Sequence, residues 1–504
     1  MTGAQPAVGA GCVLFDLIQP RPSPAIVCPE DQLSLTHEQL AALVTELAGR
    51  LRSAGVERGD RIALVLPNGP EIVLCLFAIA LLGAVAAPLN SEYTETEYRF
   101  YLEDLAPRFV IAGGEAPAAL RAAATDLPMV EATAARPDSG PTLLLDGREL
   151  RPATSFEPGR PDDQALLLHT SGTTSRPKQV PLLQRNLTSQ AAAIAGHYAL
   201  GEHDVSFCAM PLFHVHGIVA STLAQISAGG AVVVPRRLAP GRFWAQAREH
   251  GMTWYSASPT PHQKLLARLD EPPATLRFVR SCSSALSPEL MREVESRLGV
   301  PIVEAYGMTE ATHQMTSNPL PPAERRAGSV GVPAGAEVRV VDDGGRDVPA
   351  GEPGEVAIRG PGLTPGYLAN ERANAEAFFD GWFRTGDIGV LEDRYLHLKG
   401  RRKEMINRGG ENISPHEVEA VLASHPLVAE AVAFSVPDPK YGERVAAAVV
   451  LDGEVSAEEL RRHARESLAA FKVPDAIYPV PEIPRTPTGK VQRSRMASHL
   501  QIVD

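Results

Sequence analysis

The sequence predicts an α/β protein, and three observations carry that prediction. Short apolar strands alternate with amphipathic helices through the first part of the chain, as parallel sheets require. The run "GAEVRVVDDGGRDVPAGEPGEVAIRG" then changes to two β-rich segments around turn formers. Beyond the cation- and glycine-rich "GRRKEMINRGGENISP" lies a last helix–strand set of small-domain size. The expected architecture is a large N-terminal domain of α/β layers with mostly parallel sheets and a β-rich subdomain, followed by a small α+β C-terminal domain. The boundaries fall at residues 1–399, a junction at 400–404, and 405–504.

The elements follow in order. "LTHEQLAALVTELAGRLRSAGV" places Leu40, Leu43, Leu47 and Leu51 on one helical face, and Gly55 stops it. "DRIALVLP" reads as a buried strand. The apolar run Ile72–Ala87 is shorter than the roughly 20 residues of a membrane span. It is flanked by "NGPE" and "PLNSE", so it reads as a buried helix running into a strand. "TETEYRFYLEDL" is a polar helix and "RFVIAG" a strand. Residues 115–160 are rich in Ala and Pro, without periodicity, and read as a surface excursion. "QALLLHT" is a strand and "QRNLTSQAAAIAGHYAL" a helix that Gly201 ends. The loop before that helix would join strand to helix, where backbone N–H groups meet anions. In the tail, "HEVEAVLASHP" and "SAEELRRHARESLAAF" are helices, and "VAEAVAFSVPD", "RVAAAVVL" and "AIYPV" are strands.

Composition excludes several function classes. The chain has 504 residues, 44% of them hydrophobic, and a net charge of −12. An acidic chain argues against a general nucleic-acid binder. Five scattered cysteines without a CxxC pair argue against a disulfide scaffold or a zinc site and fit reduced cytoplasmic thiols. The N-terminus lacks the basic start and long apolar block of a signal peptide. The localisation expected is cytoplasmic, without a membrane span.

The stretch "HTSGTTSRPKQVP", His169 to Pro181, packs hydroxyl side chains and a glycine ahead of Arg-Pro-Lys, a composition suited to wrapping an anion. It is not a P-loop, because there is no second glycine before Lys178 and no Ser or Thr after it. No GxGxxG follows an early strand, which argues against a dinucleotide dehydrogenase. Taken alone, the stretch reads equally well as a polar turn. Its company decides otherwise. "TSGTTSRPK", "MPLFHVHG", "SCSSALS", "EAYGMTEAT", "WFRTGDIG", "GRRKEMINRGGENISPHEVE" and "PRTPTGKVQR" resemble, in order and spacing, the motifs of the acyl-adenylate-forming superfamily. That superfamily includes acyl-CoA synthetases, luciferases and adenylation domains of peptide synthetases, and the likeness spans nearly the whole chain.

The resemblance implies two steps: a carboxylate attacks the α-phosphate of ATP, giving acyl-AMP and pyrophosphate, and a thiol, usually that of coenzyme A, then displaces AMP. Two anions meet in the first step, so fixed dipoles, cations and a metal must carry much of the catalysis. By resemblance, Thr170, Ser171, Gly172, Thr173 and Thr174 would close over the β- and γ-phosphates, with Lys178 as a cation. Thr309 would bind the α-phosphate, and Glu310 would hold Mg2+. Asp387 would accept both ribose hydroxyls, supported by Arg401. Tyr306 would stack on adenine or serve only as a core aromatic, and the backbone of Ser283, Ser284 and Ala285 would meet the base edge. Lys490 would reach in from the small domain to bridge the acyl carboxylate and the α-phosphate. The small domain would then rotate at Lys403, withdrawing Lys490 and bringing in Gly409 and Gly410, where the pantetheine arm of coenzyme A passes.

Within the superfamily, "HTSGTTSRPK", "WYSASPTPHQ" and "RFVRSCSSALSP" look closest to the oxalate:CoA ligase branch. His214 sits at an acyl-pocket or gating position, and His216, Ser281 and His313 are polar candidates beside it, suited to a short, doubly charged acid. Two residues depart from the pattern. Gln179 stands where a glycine usually follows the loop lysine, and Pro261 stands where a β-branched residue is expected, so a larger natural-product acid is the other reading. The function expected is AMP-forming acyl-CoA ligation with ATP, Mg2+ and coenzyme A. The alternatives are a stand-alone adenylating enzyme serving a carrier protein or a downstream acyltransferase, a non-catalytic nucleotide-binding relative, and luciferase-like oxygenation. The sequence does not set the oligomeric state.

Overall fold

The computed structural model describes residues 11–133, 142–145, 147–170, 177–485 and 491–502. Three β-sheets occupy the chain up to Arg401. A nine-stranded sheet runs in the spatial order 332–333, 313–317, 302–308, 278–281, 254–257, 205–208, 231–233, 24–28 and 33–36. Its central members, from Ile302–Met308 to Pro24–Cys28, are all parallel, and antiparallel strands close each edge. An eight-stranded sheet repeats this plan around the parallel strands Arg61–Val65, Val85–Pro88, Phe109–Gly113 and Gln164–Thr170.

Local sequence explains the helices. His37–Ser53 begins at Thr36, whose hydroxyl accepts from the Gln39 amide while the Gln39 side chain returns to the Thr36 amide. Leu40, Leu43, Leu47 and Leu51 are buried as expected, each adding about 2 kcal/mol of apolar burial. Glu95–Leu105 uses the same box at Thr94 and Glu97. The apolar run resolves into the buried helix Pro70–Leu81 and the strand Val85–Pro88. Among the described residues no helix is long and apolar enough to cross a membrane.

Three expectations are corrected. Part of the Ala/Pro-rich excursion is built into the sheet: Met129–Ala132, Leu143–Leu145 and Arg148–Glu149 extend its edge, and Ala118–Ala123 is a helix. Edge strands this short show no periodicity in sequence. The helix expected to stop at Gly201 ends at His197, with Ala199 taking the left-handed turn (φ 48°). The hydroxyl-rich loop joins two antiparallel strands, Gln164–Thr170 and Lys178–Leu183, rather than strand to helix. The helix starts only at Gln184, after the second strand.

The β-rich region forms the expected hairpin, Glu337–Val341 against Pro353–Arg359, joined by Trp382–Glu392 and Tyr395–Arg401. A one-turn 3-10 helix, Arg402–Glu404, follows. The last sheet pairs Val428–Asp438 with Gly442–Leu451 and packs the helices Pro415–Ala423 and Ala457–Ser467 against a core of its own.

Candidate active site

The candidate site lies at the ends of the central strands, where "EAYGMTEAT" leaves the nine-stranded sheet. Ile302–Met308 runs into the turn Thr309–Ala311 and returns as His313–Ser317. Gly307 is required in this reversal, because a Cβ there would lie 2.0 Å from the His313 carbonyl oxygen. The turn buries Glu310. Its Oε1 accepts from the Tyr367 hydroxyl at 2.8 Å, and its other oxygen has no hydrogen bond among the described residues. Lys178 Nζ sits 4.3 Å above the Tyr367 ring, so one tyrosine links the loop lysine to the buried carboxylate. Burial, then Glu310, holds the Tyr367 hydroxyl far above its ordinary pKa, so it stays a donor. Thr309 is half-buried at the start of the turn.

Asp387, on Trp382–Glu392, is brought to the same place. Tyr306 donates its hydroxyl to Oδ2, and Arg401 Nε lies 3.0 Å from Oδ1. Burial, then Asp387, keeps the Tyr306 phenol protonated, and Asp387 holds Arg401 firmly cationic. Tyr306 is mostly buried, with its hydroxyl engaged, so the ring is first a core aromatic. Ser283 takes a left-handed conformation (φ 75°), and Ser284 and Ala285 behind it are exposed. The Leu286 amide donates to Glu304 Oε1 at 3.0 Å, and burial raises the Glu304 carboxyl to about 7.

The polar pocket candidates also assemble. His216 is fully buried, placed there because Gly217 lets the chain lie against the backbone of Met210 and Pro211. Its Nδ1 is 3.0 Å from Ser283 Oγ, its Nε2 is 2.6 Å from Ser256 Oγ, and its ring centroid is 5.0 Å from that of His313. Burial depresses the pKa of His216 well below the ordinary imidazole value. His214 is half-buried and accepts from the His216 amide. Ser281 has a fully buried hydroxyl without a hydrogen-bond partner among the described residues.

The Gln179 side chain is bonded to Asp104. Its amide donates to the Asp104 carbonyl (2.6 Å) and carboxylate (2.7 Å), beside His169, which contacts the same carboxylate at 2.9 Å. Pro261 lies in the first turn of Pro259–Leu266, where a missing N–H costs nothing. Gly409 and Gly410 (φ 63° and 95°) form the two-residue turn of a tight hairpin, Ile406–Arg408 with Glu411–Ile413, a backbone that favours glycine whatever passes nearby. Exposed Lys403 sits between Arg402, which pairs with Asp343 and Glu355 of the β-rich region, and Glu404, which pairs with Arg493 of the last sheet's layer. Ser171, Gly172, Thr173, Thr174 and Lys490 lie outside the described residues. Sequence reasoning missed Tyr367, Glu304, Ser256 and Arg280; no quoted motif contains Tyr367, whereas Glu304, Ser256 and Arg280 stand inside "EAYGMTEAT", "WYSASPTPHQ" and "RFVRSCSSALSP" and read there as ordinary strand residues.

Residues 19–368 match the family model described as AMP-binding enzyme, and 417–490 that of the AMP-binding enzyme C-terminal domain. The chain belongs to the AMP-binding enzyme family. This AMP-binding enzyme is 45% identical over 482 residues to an oxalate–CoA ligase of Arabidopsis thaliana, covering 93% of this chain and 94% of that one. It is 37% identical to a sulfoacetate–CoA ligase of Cupriavidus necator, covering 94% of each. Among solved structures it resembles O-succinylbenzoate coenzyme A synthetase of Bacillus subtilis in complex with ATP and magnesium ion, with a TM-score of 0.85, 29% identity, and coverage of 96% of this chain and 98% of that one. The residues present fit a nucleotide and its magnesium. Mg2+ takes one or two carboxylates and completes its shell with phosphate oxygens and water, and Glu310 offers a buried carboxylate with one oxygen uncommitted.

Proposed function

We propose that this enzyme activates a short acid bearing two acidic groups, oxalate being the simplest, and that the residues assembled above carry the reaction. The reaction is ATP-dependent formation of an acyl-CoA through acyl-AMP, using ATP, Mg2+ and coenzyme A. Oxalate, sulfoacetate and O-succinylbenzoate, the acids for which the three relatives are named, each carry two acidic groups. The observation in this chain that carries the reading is the polar cluster of His216, His313, Ser281 and Ser283 at the strand ends, where an apolar acid would strand buried donors.

In this reading Asp387 and Arg401 hold the ribose, with Tyr306 fixing the Asp387 carboxylate and the backbone of Ser283–Ala285 along the base edge. Thr170, Ser171, Gly172, Thr173, Thr174 and Lys178 hold the phosphates, Thr309 the α-phosphate, and Glu310 the magnesium, whose charge offsets that of the phosphates. His214, His216, Ser281 and His313 line the acyl pocket. Lys490 places its charge between the carboxylate and the α-phosphate, where charge develops in the first transition state. The domains are 1–399 and 405–504, turning at 400–404 around Lys403, and Gly409 and Gly410 pass the pantetheine arm in the second step. Coenzyme A rather than a carrier protein or downstream acyltransferase takes the acyl group, in line with the relatives' names. Four buried, unpaired cysteines, Cys28, Cys75, Cys208 and Cys282, support a cytoplasmic location.

The test is pyrophosphate release with Mg-ATP and CoA over paired acids: oxalate with glyoxylate, sulfoacetate with acetate, and O-succinylbenzoate with benzoate. The reading expects the dianion of a pair to win by at least about tenfold in kcat/KM, the scale of one charge-assisted contact. A monoacid preference throughout would contradict it.

A further inference from the structure

Arg280 is a feature of this region that the reaction as described leaves unused. It sits on the central strand Phe278–Ser281, is 0% exposed, and is directly paired in register with Ser256 on the neighbouring strand. A buried guanidinium normally meets a carboxylate, because an uncompensated charge in the interior is costly. Here its hydrogen bonds among the described residues run to Tyr198, Gln314 and Ser256, at 3.0, 3.0 and 2.9 Å, with the Cys282 thiol beside it and no carboxylate among these partners. A full positive charge is therefore held immediately behind the polar cluster with no described carboxylate among its partners.

The hydrogen bonds lead from that charge to the pocket in one direction. Arg280 can only donate, so Ser256 Oγ accepts from it. The single proton of Ser256 then goes to His216 Nε2, 2.6 Å away, its remaining partner. That assigns the His216 proton to Nδ1, which donates to Ser283 Oγ at 3.0 Å. Ser283 has now accepted, and its own proton is left to donate outward. It is the half-exposed end of a chain whose other members are buried, on a left-handed backbone (φ 75°). Each donor is polarised by the one behind it, and the first is a cation.

We infer that Arg280 is a specificity-determining positioning residue: acting through Ser256 and His216, it presents Ser283 as a strengthened donor to the second anionic group of the acid. Arg280 touches neither the acid nor the nucleotide. Its charge offsets the extra negative charge that a dianion brings into a site already holding ATP. The inference rests on the dianion reading above and goes further by naming what selects the second charge.

The experiment compares kcat/KM for oxalate and for glyoxylate, a monoanion of nearly the same size, in the full-length enzyme. The wild type is expected to prefer oxalate. Arg280→Gln should reduce that preference about tenfold, the worth of one unscreened interior charge. Arg280→Lys, which keeps the charge, should restore most of it. Ser256→Ala, which removes one oxygen and leaves the charge, should reduce the preference about threefold, the worth of one hydrogen bond. The losses should appear in the KM for oxalate more than in kcat, whereas a merely structural defect would lower both acids alike. Should Arg280→Gln fail to fold, Ser256→Ala carries the test. An unchanged oxalate-to-glyoxylate ratio in folded Ser256→Ala, with the wild-type preference present, overturns the relay and leaves the substrate reading intact. A wild type with no preference for oxalate overturns the substrate reading, and the inference with it.

Discussion

Single residues carry the sharpest expectations. Asp387 holds Tyr306 and Arg401 on its two oxygens, so Asp387→Asn should raise the KM for ATP about tenfold or more while leaving the acid's KM nearly unchanged, read from initial rates. Glu304 gives a pH signature. Burial raises its carboxyl from 4.5 to about 7 in the folded chain. Between those values the folded state binds more protons than the unfolded one, so stability falls as pH rises across that window. Glu304→Gln cannot titrate. Its melting temperature should track the wild type below about pH 4.5 and exceed it at pH 8, and parallel profiles at all pH values would contradict the assignment. At this scale the sequence was partly legible. Glu310, Asp387, Arg401 and His216 stand in motifs whose company announces them. Tyr367, Glu304 and Arg280 matter through contacts between distant segments, and no local pattern encodes such a contact. Gln179 stands where a glycine is usual after the loop lysine, and its side chain is bonded to Asp104, a partner 75 residues away that no local pattern announces.

Elements were legible where one periodicity ran long enough to be seen. The capped helices at Thr36 and Thr94, the apolar helix Pro70–Leu81 and the hairpin at 337–359 follow directly from pattern and capping. The short edge strands between Met129 and Glu149 did not, because two to four residues cannot show a period. The loop's setting was misread because Lys178–Leu183 contains Pro181 and reads as a helix approach; it is an edge strand, where proline is tolerated. The Gly409–Gly410 hairpin separates two roles that the sequence superimposed. Gly410→Ala meets no neighbouring atom, so its structural cost is the left-handed backbone alone, about 1 kcal/mol. A melting temperature lowered by a few degrees together with a raised KM for CoA would support passage of the pantetheine arm there; a stability loss alone would leave only the turn.

For the whole molecule the account turns on two half-reactions served by one site and a mobile small domain. Arg402 is tied to the β-rich region and Glu404 to the last sheet's layer, so the two neighbours of Lys403 belong to opposite sides of the proposed hinge. Lys490→Ala should lose acyl-AMP formation by about a hundredfold or more, the scale of one preorganised transition-state charge. It should lose far less of thioester formation from supplied acyl-AMP; equal losses in both steps would remove Lys490 from its assigned role. The measurement that bears most directly on the central claim is pyrophosphate release from Mg-ATP and oxalate, with and without CoA, with the thioester followed in the same reaction. The account predicts release that turns over only when CoA is present, together with an acyl-CoA product in equal amount. Release that CoA does not accelerate, with no thioester formed, would contradict it.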